Sequence, residues 1–336
     1  MNTEVKSVFI DAQHSAVCST RAEDLVPPPD GIVIETKYSC ISAGTETFGF
    51  TGLDAREYPR PVGVRAIGRV LETGPDCAKL QPGDLVFSHT PHASHAVGRL
   101  LVAKLPDDLE RPETAMIGMA SVALCGIRVA APEIGDRAVV TGAGLVGQFV
   151  AQLLQLSGVQ PILIDRVEQR LEIARTCGIK DTVNAGREDA AQAVTELTGG
   201  RGAEHVFECT GAPAVVEQAI AYCAQSGKFI QVGSPRGEHQ ADLTAFVNHA
   251  HIWRAHGDVT IMGAHEWKIP IYPTHGVKHS QLRNMHLLGE LYQSERLKLG
   301  PLLTTLCKPE DCQQAFEGLV NDKENHLGVV FDWTTG

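Results

Sequence analysis

Hydrophobic and polar residues alternate differently in three regions of the chain. Up to about residue 115, short apolar or alternating runs such as GIVIETKYSCI and AIGRVLETG are separated by the turn-rich segments PPPDG, YPRPVG and QPGD. This pattern is typical of a small β-barrel or sandwich. From about 115 to 265, apolar runs alternate with helical patterns, as where RAVVTGAG precedes LVGQFVAQLLQLSG. Strands that alternate with helices predict βαβ units and a parallel sheet.

The region after about residue 265 is less regular. It predicts one helix, from Ser280 to about Leu297, and a final strand, GVVFDW. The chain has 336 residues, which is enough for two domains. The sequence therefore predicts an α/β protein with a β-rich domain and a doubly wound parallel-sheet domain.

Composition and charge exclude several classes of partner. The net charge is −11, from 29 Lys and Arg against 40 Asp and Glu, and it is spread without an acidic or basic block. We therefore expect no binding to nucleic acid or to an anionic membrane surface. The nine cysteines form no CxxC pair, and the N-terminus lacks the apolar core of a signal peptide. These features predict a cytoplasmic protein with reduced thiols.

One long stretch, from Ala138 to Ile164, carries no charge and has to be weighed as a membrane span. It contains four Gly, four Gln and one Pro, and it divides into strand, helix and strand. A buried layer of an α/β domain explains this stretch better, so we expect no membrane partner.

The strongest motif lies in the same stretch, in AVVTGAGLVGQFVAQLLQLSG. Gly142 allows a tight turn after the strand, Gly144 lets the backbone approach a pyrophosphate, and Gly147 lets helix and strand pack closely. Amide groups at the start of the helix, at Leu145 and Val146, are donors for the phosphates. The motif predicts a dinucleotide site, and a glycine-rich turn without a ligand is the alternative.

An acidic residue at the end of the next strand bears on the choice of cofactor. PILID ends in Asp165, where a carboxylate accepts hydrogen bonds from the adenosine ribose hydroxyls and repels a 2′-phosphate. We therefore predict NAD rather than NADP as the cofactor. Arg166 and Arg170 follow closely, and either can flank the adenine or hold a 2′-phosphate.

Two later strands, in ECTGAP and QVGSP, end in small and polar residues. Ligands of an open α/β sheet lie at the carboxyl ends of its strands, so these turns fit the same pocket. Ordinary turn chemistry is the alternative. The candidate cofactor residues in the two turns are Cys209, Thr210, Gly211, Val232, Gly233 and Ser234.

The order of the regions, together with GAGLVG, Asp165, PGDLVF and KLPDDL, resembles the medium-chain dehydrogenase/reductase superfamily and its zinc-type alcohol dehydrogenase-like group. The resemblance covers nearly the whole chain. It implies a GroES-like substrate domain at 1–120 and 265–336, wrapped around a Rossmann NAD-binding domain at 121–264. It also implies a homodimer or homotetramer joined through the central sheets. In the family, backbone approaches the nicotinamide amide at the positions of Gly263, Ala264 and His265; for the His265 side chain, a capping or core role is the alternative.

The same resemblance implies a branch without zinc. Where the family has its first zinc-binding Cys, in a Cys-Gly-Thr-Asp motif, ISAGTET has Ala43, while Thr45 keeps the hydroxyl position and Glu46 replaces the Asp. Val64 stands at the ligand His of the Gly-His-Glu motif, and Met119 aligns with the third ligand. Apolar side chains do not bind zinc, and a catalytic site needs three protein ligands. The four-cysteine structural zinc lobe is missing as well, so we predict no metal.

Three histidines, His89, His92 and His95, lie three residues apart in FSHTPHASHAVG. Pro91 and the β-like flanks argue against a helix, so a metal site needs a loop in which all three converge. The alternatives are a solvated loop and a single histidine that enters the active cleft. For that role we choose His95, since SHAVGRLLV resembles the family strand that borders the substrate, and then His92.

Alcohol oxidation without zinc needs a general base and a group that stabilises the developing alkoxide. The candidate residues are Thr45 as a hydroxyl relay, Glu46, Arg65 and one of the histidines. Arg65 stands where the family has an acid, and Glu46 is an acid near it. We therefore expect these two side chains to form an ion pair that fills the vacated metal pocket.

These features predict a zinc-independent, NAD(H)-dependent oxidoreductase. The SAGTE segment resembles a group that includes sugar- and polyol-modifying dehydrogenases, and this resemblance implies that the protein interconverts a secondary alcohol, sugar- or polyol-like, and a ketone by hydride transfer, with a small molecule as substrate. One alternative is an NAD(P)H-dependent reductase of conjugated carbonyls, of the quinone or enoyl type; Asp165 weighs against it because such enzymes usually take NADPH. The other alternative is a protein that binds NAD(H) without turnover.

Overall fold

The structure is a computed structural model that describes residues 2–53, 57–254 and 256–335. It divides into two compact units, one made of Met1–Gly118 with Ile269–Gly336 and the other of Met119–Lys268. The domain boundaries after residue 120 and before residue 265 stay a prediction from the sequence. Each unit has its own sheets and its own hydrophobic core.

The strands and the α-helices are numbered in the order in which they occur along the chain. The strands are β1 Asn2–Ala12, β2 Ser15–Asp24, β3 Ile32–Cys40, β4 Arg60–Pro61, β5 Ala66–Thr73, β6 Leu85–Ser88, β7 His95–Gly98, β8 Ala103–Lys104, β9 Arg137–Thr141, β10 Gln160–Asp165, β11 Asp181–Asn184, β12 Ala203–Glu208, β13 Cys223–Gln231, β14 Thr260–Gly263, β15 Leu303–Cys307 and β16 Gly328–Asp332. The α-helices are α1 Ala43–Phe50, α2 Ile117–Ala130, α3 Leu145–Leu156, α4 Glu168–Thr176, α5 Ala190–Leu197, α6 Pro213–Ala219, α7 Leu243–His251, α8 Gln281–Gln293 and α9 Cys312–Asn321.

The first unit is built on two β-sheets. One is antiparallel, in the order β2-β1-β4, and the other runs β15-β16-β3-β5-β6-β8 with β7 paired to β3. β3 is central because one edge pairs with β5 while the other pairs first with β7 and then with β16. Its apolar residues Ile32 and Ile34 pack on Val70, Val86 and Ala96 of neighbouring strands. The β-rich fold predicted for this region is confirmed.

The helices of the first unit differ in part from the sequence prediction. The predicted helix at 280–297 forms as α8, with Ser280 as its N-cap, and it ends at Gln293, because Glu295 takes a left-handed conformation with φ of 56°. The sequence analysis missed α1 and α9. α1 contains two glycines, which lower helix propensity, and its stability comes from tertiary packing such as that of Phe50 against Phe316 on α9.

The second unit is a doubly wound α/β domain, as predicted. Its parallel sheet has the order β11-β10-β9-β12-β13-β14, so the direction of winding reverses between β9 and β12. The uncharged stretch from Ala138 to Ile164 forms β9, α3 and most of β10, and α3 is buried on nearly all sides. A different segment, Pro112–Ala130, is long and apolar enough to cross a membrane, and 78% of its apolar window is buried within the protein, as in a core helix.

Candidate functional site

In the second unit, the glycine motif lies at the reversal point of the sheet, between the end of β9 and the start of α3. Gly142 has a φ of 92°, which other residues rarely adopt. A Cβ atom at Gly147 would lie 1.8 Å from the carbonyl oxygen of Gly142, so the helix reaches the turn only because residue 147 is glycine. A Cβ atom at Gly144 would meet nothing within 4 Å. The turn therefore packs closely on α3 at Gly147, whereas the space next to Gly144 is open.

The N-terminus of α3 offers donors to an anion in that open space. Gly144 is the N-cap, and no side chain caps the helix. The amide of Gln148 donates to the carbonyl of Gly144 over 2.9 Å, and the amides of Leu145 and Val146 precede this first helical bond. The first turn of a helix also carries a positive dipole. Donors and space together fit the diphosphate of a dinucleotide.

Asp165, the last residue of β10, lies against the glycine turn. Its Oδ2 accepts a hydrogen bond from the Ala143 amide at 2.6 Å. Its Oδ1 accepts from the amides of Arg166 at 2.7 Å and Val167 at 2.9 Å. A carboxylate has about four acceptor positions, so capacity remains for a ribose hydroxyl.

Two positive charges follow this carboxylate. Arg166 is exposed, whereas Arg170 is half-buried on α4. Burial lowers the pKa of Arg170, and the charge of Asp165 acts in the opposite direction; a guanidinium nevertheless stays charged at neutral pH. The carbonyl of Arg170 accepts a hydrogen bond from Nε2 of Gln148 at 2.7 Å, which ties α4 to α3. The acidic Asp165 and the basic Arg166 and Arg170 therefore lie together at the position where the adenosine ribose is predicted to bind and where NAD and NADP differ.

A buried carboxylate that the sequence analysis missed organises the neighbouring strand ends. Glu208, at the end of β12, has 0% exposure. Its Oε1 accepts from the amide of Thr210 at 2.7 Å, from the Thr210 hydroxyl, and from the Thr141 hydroxyl at 3.5 Å. Its Oε2 accepts from the amide of Gly211 at 3.0 Å and from Nε2 of Gln231 at 2.7 Å. The signal available in the sequence was an acid at the end of the strand AEHVFE, directly before a turn.

The two turns predicted to line the cofactor pack directly on each other. A Cβ atom at Gly211 would lie 2.4 Å from the carbonyl oxygen of Ser234, and one at Gly233 would lie 2.5 Å from the amide nitrogen of Gly211. A Cβ atom at Gly142 would lie 2.7 Å from Cγ2 of Thr210. The structure thus brings these predicted residues together at the carboxyl edge of the sheet. The same turns contain Cys209 and Val232.

The third predicted segment lies at the outer strand of this sheet. Gly263 ends β14, and the amide of Ala264 donates to the carbonyl of Gln231 at 2.9 Å. Nδ1 of His265 accepts a hydrogen bond from the amide of Trp267 at 3.4 Å. The His265 side chain therefore makes a local capping contact.

In the first unit, Glu46 is paired with His92. Glu46 lies in the first turn of α1 and is 4% exposed, and His92 has 0% exposure. Oε2 of Glu46 lies 2.9 Å from Nε2 of His92, and Oε1 accepts from the amide of Ser42 at 2.7 Å. Nδ1 of His92 lies 2.8 Å from Oγ of Ser39. Thr45, next to Glu46, is exposed, so the buried pair lies close to the surface of the unit.

The predicted ion pair between Glu46 and Arg65 is wrong. Glu46 is engaged by His92 and Ser42, whereas Nη1 of Arg65 lies 3.2 Å from Nε2 of His89. The stem of Arg65 runs past Gly118, where a Cβ atom would lie 2.7 Å from Cδ of the arginine. The physical reason is that a histidine distant in sequence is folded against the first turn of α1 and occupies the carboxylate.

The three closely spaced histidines have different partners. His89 lies beside Arg65, His92 belongs to the pair just described, and His95 begins β7 opposite Glu35. Burial lowers the pKa of His95, with the charge of Glu35 acting in the opposite direction. Within residues 2–53, 57–254 and 256–335, no group of three or more His, Cys, Asp or Glu is arranged to hold a metal ion. Of the two histidines weighed for proton transfer, it is His92 that contacts Glu46.

The positions related by resemblance to zinc ligands carry apolar side chains. Ala43 begins α1 one turn before Glu46, so the two residues share a face of the helix. Val64 is 37% exposed, and Met119 is 6% exposed. None of these three side chains has the imidazole, thiolate or carboxylate with which proteins bind zinc.

The sequence of the chain is similar to those of known dehydrogenases. A family model for zinc-binding dehydrogenases matches residues 146–274. An uncharacterized zinc-type alcohol dehydrogenase-like protein of Haemophilus influenzae is 27% identical over 274 residues, which cover 71% of this chain and 79% of that protein. D-xylulose reductase of Saccharomyces cerevisiae is 29% identical over 238 residues, which cover 69% of this chain and 60% of that protein.

Solved structures share the fold over nearly the whole chain. Galactitol-1-phosphate dehydrogenase from Escherichia coli has a TM-score of 0.84 at 18% identity, covering 97% of this chain and 99% of that one. A protein from Sinorhizobium meliloti 1021, solved with bound NADP, has a TM-score of 0.81 at 16% identity, covering 98% and 99%. At these identities the likeness concerns the fold.

Proposed function

We propose that this chain, an oxidoreductase of the medium-chain dehydrogenase/reductase superfamily and its zinc-type alcohol dehydrogenase-like group, interconverts a secondary alcohol and a ketone with NAD(H). The position of Asp165 carries this proposal, since its carboxylate lies 2.6 Å from the Ala143 amide in the glycine turn. A carboxylate there accepts from ribose hydroxyls and repels a 2′-phosphate. One similar protein is a D-xylulose reductase, which supports a sugar- or polyol-like substrate.

The second unit would hold the cofactor. The amides of Leu145 and Val146 would bind its diphosphate in the open space at Gly144, and Asp165 would bind the adenosine ribose. The turns that Glu208 fixes, at Thr210–Gly211 and after Gln231, would line the rest of the site. When bound, the nicotinamide supplies the acceptor or donor of the hydride.

The group that we propose for proton transfer lies in the first unit. We assign it to Glu46, with His92 as its hydrogen-bond partner and the exposed hydroxyl of Thr45 beside it. In the direction of oxidation, the alcohol hydroxyl loses its proton to this group as its carbon gives up a hydride. A carboxylate held by a buried histidine and a backbone amide is a suitable acceptor because its geometry is fixed in advance.

Independence from zinc is part of the proposal. Ala43, Val64 and Met119 offer no zinc-binding group, and Glu46 is already engaged by His92. The family model that matches the chain describes zinc-binding dehydrogenases, so direct metal analysis is decisive. We expect the purified protein to contain far less than one zinc ion per chain and to keep its activity after treatment with a chelator. Stoichiometric zinc whose removal abolishes activity would overturn this part of the proposal.

One observation favours the second candidate function, a reductase of conjugated carbonyls that uses NADPH. Arg166 and Arg170 both follow Asp165, and a structure with the same fold holds NADP. Titration of the protein with NADH and NADPH, followed by nicotinamide fluorescence, separates the two functions. We expect tighter binding of NADH and turnover of polyols. Tighter binding of NADPH with reduction of enones would favour the second function, and binding without turnover of either class would favour a non-catalytic protein.

We further propose that the chain forms a homodimer or homotetramer through its central sheet. β14 is the last strand in the order of the parallel sheet, and its Ile261 is 44% exposed. A strand edge with exposed apolar side chains is suited to pairing with a second copy. Light scattering after gel filtration should give the mass of an oligomer, and Ile261→Lys should shift it toward the monomer. A monomeric wild-type protein would contradict this proposal.

A further inference from the structure

Behind the Glu46–His92 pair, a line of hydrogen bonds continues through the first unit. Oγ of Ser39, on β3, lies 2.8 Å from Nδ1 of His92, and Nε1 of Trp333 donates to the same Oγ at 2.9 Å. Ser39 has 0% exposure. Trp333 directly follows β16, and the pairing of β16 with β3 places Phe331 opposite Ser39. The backbone amide of Trp333 donates to the carbonyl of Lys37, next to the same strand pairing. The line Trp333–Ser39–His92–Glu46 is therefore built on paired strands.

The donor and acceptor groups of these four residues determine which residue donates in each hydrogen bond of the line. An indole N–H is a donor only, so Ser39 accepts from Trp333. Among the described residues, the other side-chain hydrogen-bond partner of the Ser39 hydroxyl is His92, so the hydroxyl proton points to Nδ1. A neutral imidazole whose Nδ1 accepts carries its proton on Nε2. That N–H then donates to Oε2 of Glu46 over 2.9 Å.

The Nδ1–H tautomer and the imidazolium form of His92 would each leave a buried polar group without a suitable hydrogen-bond partner. The opposite tautomer would turn the lone pair of Nε2 toward the Glu46 carboxylate. An imidazolium would donate from Nδ1 to Ser39, whose oxygen can accept from both Nδ1 and Trp333, but the serine proton would then lose its acceptor. Leaving a buried donor unpaired is unfavourable.

The ring of His92 is also held in place by packing. Its backbone amide donates to the carbonyl of Val62, and its carbonyl accepts from the amide of Val8. The ring of Phe331 stands edge-on to it, with centroids 5.1 Å apart. A Cβ atom at Gly63 would lie 2.6 Å from Cγ of His92, so this glycine leaves the room that the ring occupies. The imidazole therefore cannot rotate freely to exchange its two partners.

We infer that Ser39 and Trp333 are positioning residues that keep the proton of His92 on Nε2 rather than on Nδ1, so that His92 donates to Glu46. The functional meaning of this inference rests on the proposed role of Glu46 in proton transfer. Because Ser39 and Trp333 fix its tautomer, His92 keeps Oε2 of Glu46 oriented, and the Ser42 amide orients Oε1. The carboxylate thus keeps its position while it accepts and releases a proton.

Nuclear magnetic resonance of protein labelled with ¹⁵N in histidine tests the inference without any turnover. His92→Gln assigns the His92 signals, and the two ring nitrogens differ strongly in shift according to which one carries the proton. We expect the Nε2–H pattern in the wild type. In Ser39→Ala and in Trp333→Phe, the Nδ1 signal should move toward the average of a tautomer mixture. Ser88→Ala is the matched control, since Ser88 is an equally buried serine, on β6, that bonds to Thr90.

Activity supplies a second readout. In Ser39→Ala we expect kcat to fall about tenfold with KM little changed, a fraction of the ~10²–10⁴-fold that a positioned base contributes. Ser88→Ala should retain the wild-type kcat. An Nδ1–H or imidazolium pattern in the wild type overturns the inference, as do unchanged His92 signals in both variants. If the signals behave as expected but Glu46→Gln keeps full activity, the positioning stands and the proposed role of Glu46 fails. Should Ser39→Ala not fold, the wild type and Trp333→Phe decide.

Discussion

The carboxylate of Asp165 accepts a hydrogen bond from the backbone amide of Ala143 over 2.6 Å, and this contact joins the end of β10 to the glycine turn after β9. The same carboxylate accepts from the amides of Arg166 and Val167. It is therefore held from both sides before a ligand arrives. An acceptor fixed in this way loses little freedom when it binds a ribose hydroxyl.

Asp165→Ala should weaken NADH binding by about ten- to a hundredfold, since a hydrogen bond to a charged group contributes ~1.5–3 kcal/mol. The affinity for NADPH should fall less, because the same carboxylate repels a 2′-phosphate. Fluorescence titration with both cofactors measures the two effects. Asp181→Asn is the control: it changes an acid at the amino end of β11, in the same sheet, and should leave both affinities unaltered. Unchanged NADH affinity in Asp165→Ala would remove the cofactor assignment.

Two alanine substitutions in the glycine motif should have different effects. A Cβ atom at Gly147 would lie 1.8 Å from the carbonyl oxygen of Gly142, so Gly147→Ala should lower the free energy of unfolding by at least about 1–3 kcal/mol, as overpacking does. Gly144→Ala meets nothing within 4 Å and should fold normally. Its methyl group would project into the space proposed for the diphosphate, so NADH affinity should fall. Thermal melts and titrations compare the variants, and a Gly144→Ala protein with wild-type affinity would move the diphosphate elsewhere.

The glycine turn and Asp165 were predictable because their geometry is local. A tight turn, a helix start and the end of the next strand impose residue types at short spacing, and the sequence shows them directly. Glu208 was harder to recognise because its partners come from three strand ends. The sequence contains the acid but does not show which donors the sheet assembles around it.

The Glu46–His92 pair could not be read from the chain for the same reason. The two residues are 46 positions apart, and they meet because α1 and the segment before β7 are folded together. The sequence analysis gave Glu46 a nearer charge, Arg65, and preferred His95 over His92. It also missed α1 itself, since glycines at 44 and 49 weaken the helical signal that tertiary packing restores.

The second unit should lose stability as the pH falls toward 5. The side chain of His205 is 5% exposed, with Nε2 at 2.9 Å from Oδ2 of Asp136, and its Nδ1 has no hydrogen-bond partner among the described residues. Burial lowers the pKa of His205 below its ordinary value of 6.5, although Asp136 acts in the opposite direction. The unfolded chain therefore takes up the proton first. The contribution of His205 is complete above pH 6.5 and is lost as the pH falls through the folded-state pKa.

Denaturant unfolding between about pH 8 and pH 5 measures this effect, because stability changes with pH wherever the unfolded state binds more protons. The midpoint of the wild type should fall below pH 6.5, and that of His205→Gln should fall less. His251→Gln, which changes an exposed histidine on α7 of the same unit, should follow the wild type. An equal slope in all three proteins would show that His205 does not titrate in this range.

Glu46→Gln should lower kcat by about 10²–10⁴-fold, the usual contribution of a positioned base. The protein should still fold: glutamine has the same size but offers one acceptor oxygen, so either the Ser42 amide or Nε2–H of His92 loses its partner, at about 1–3 kcal/mol. A double-mutant cycle with His92→Gln should then give a coupling of about 0.5–3 kcal/mol, as for residues in contact. The same cycle with Arg65→Gln should give a smaller coupling, because Arg65 lies beside His89 instead. A Glu46→Gln enzyme with wild-type kcat would show that the proton is taken by another group, and a stronger coupling to Arg65 than to His92 would contradict the pairing of Glu46 with His92.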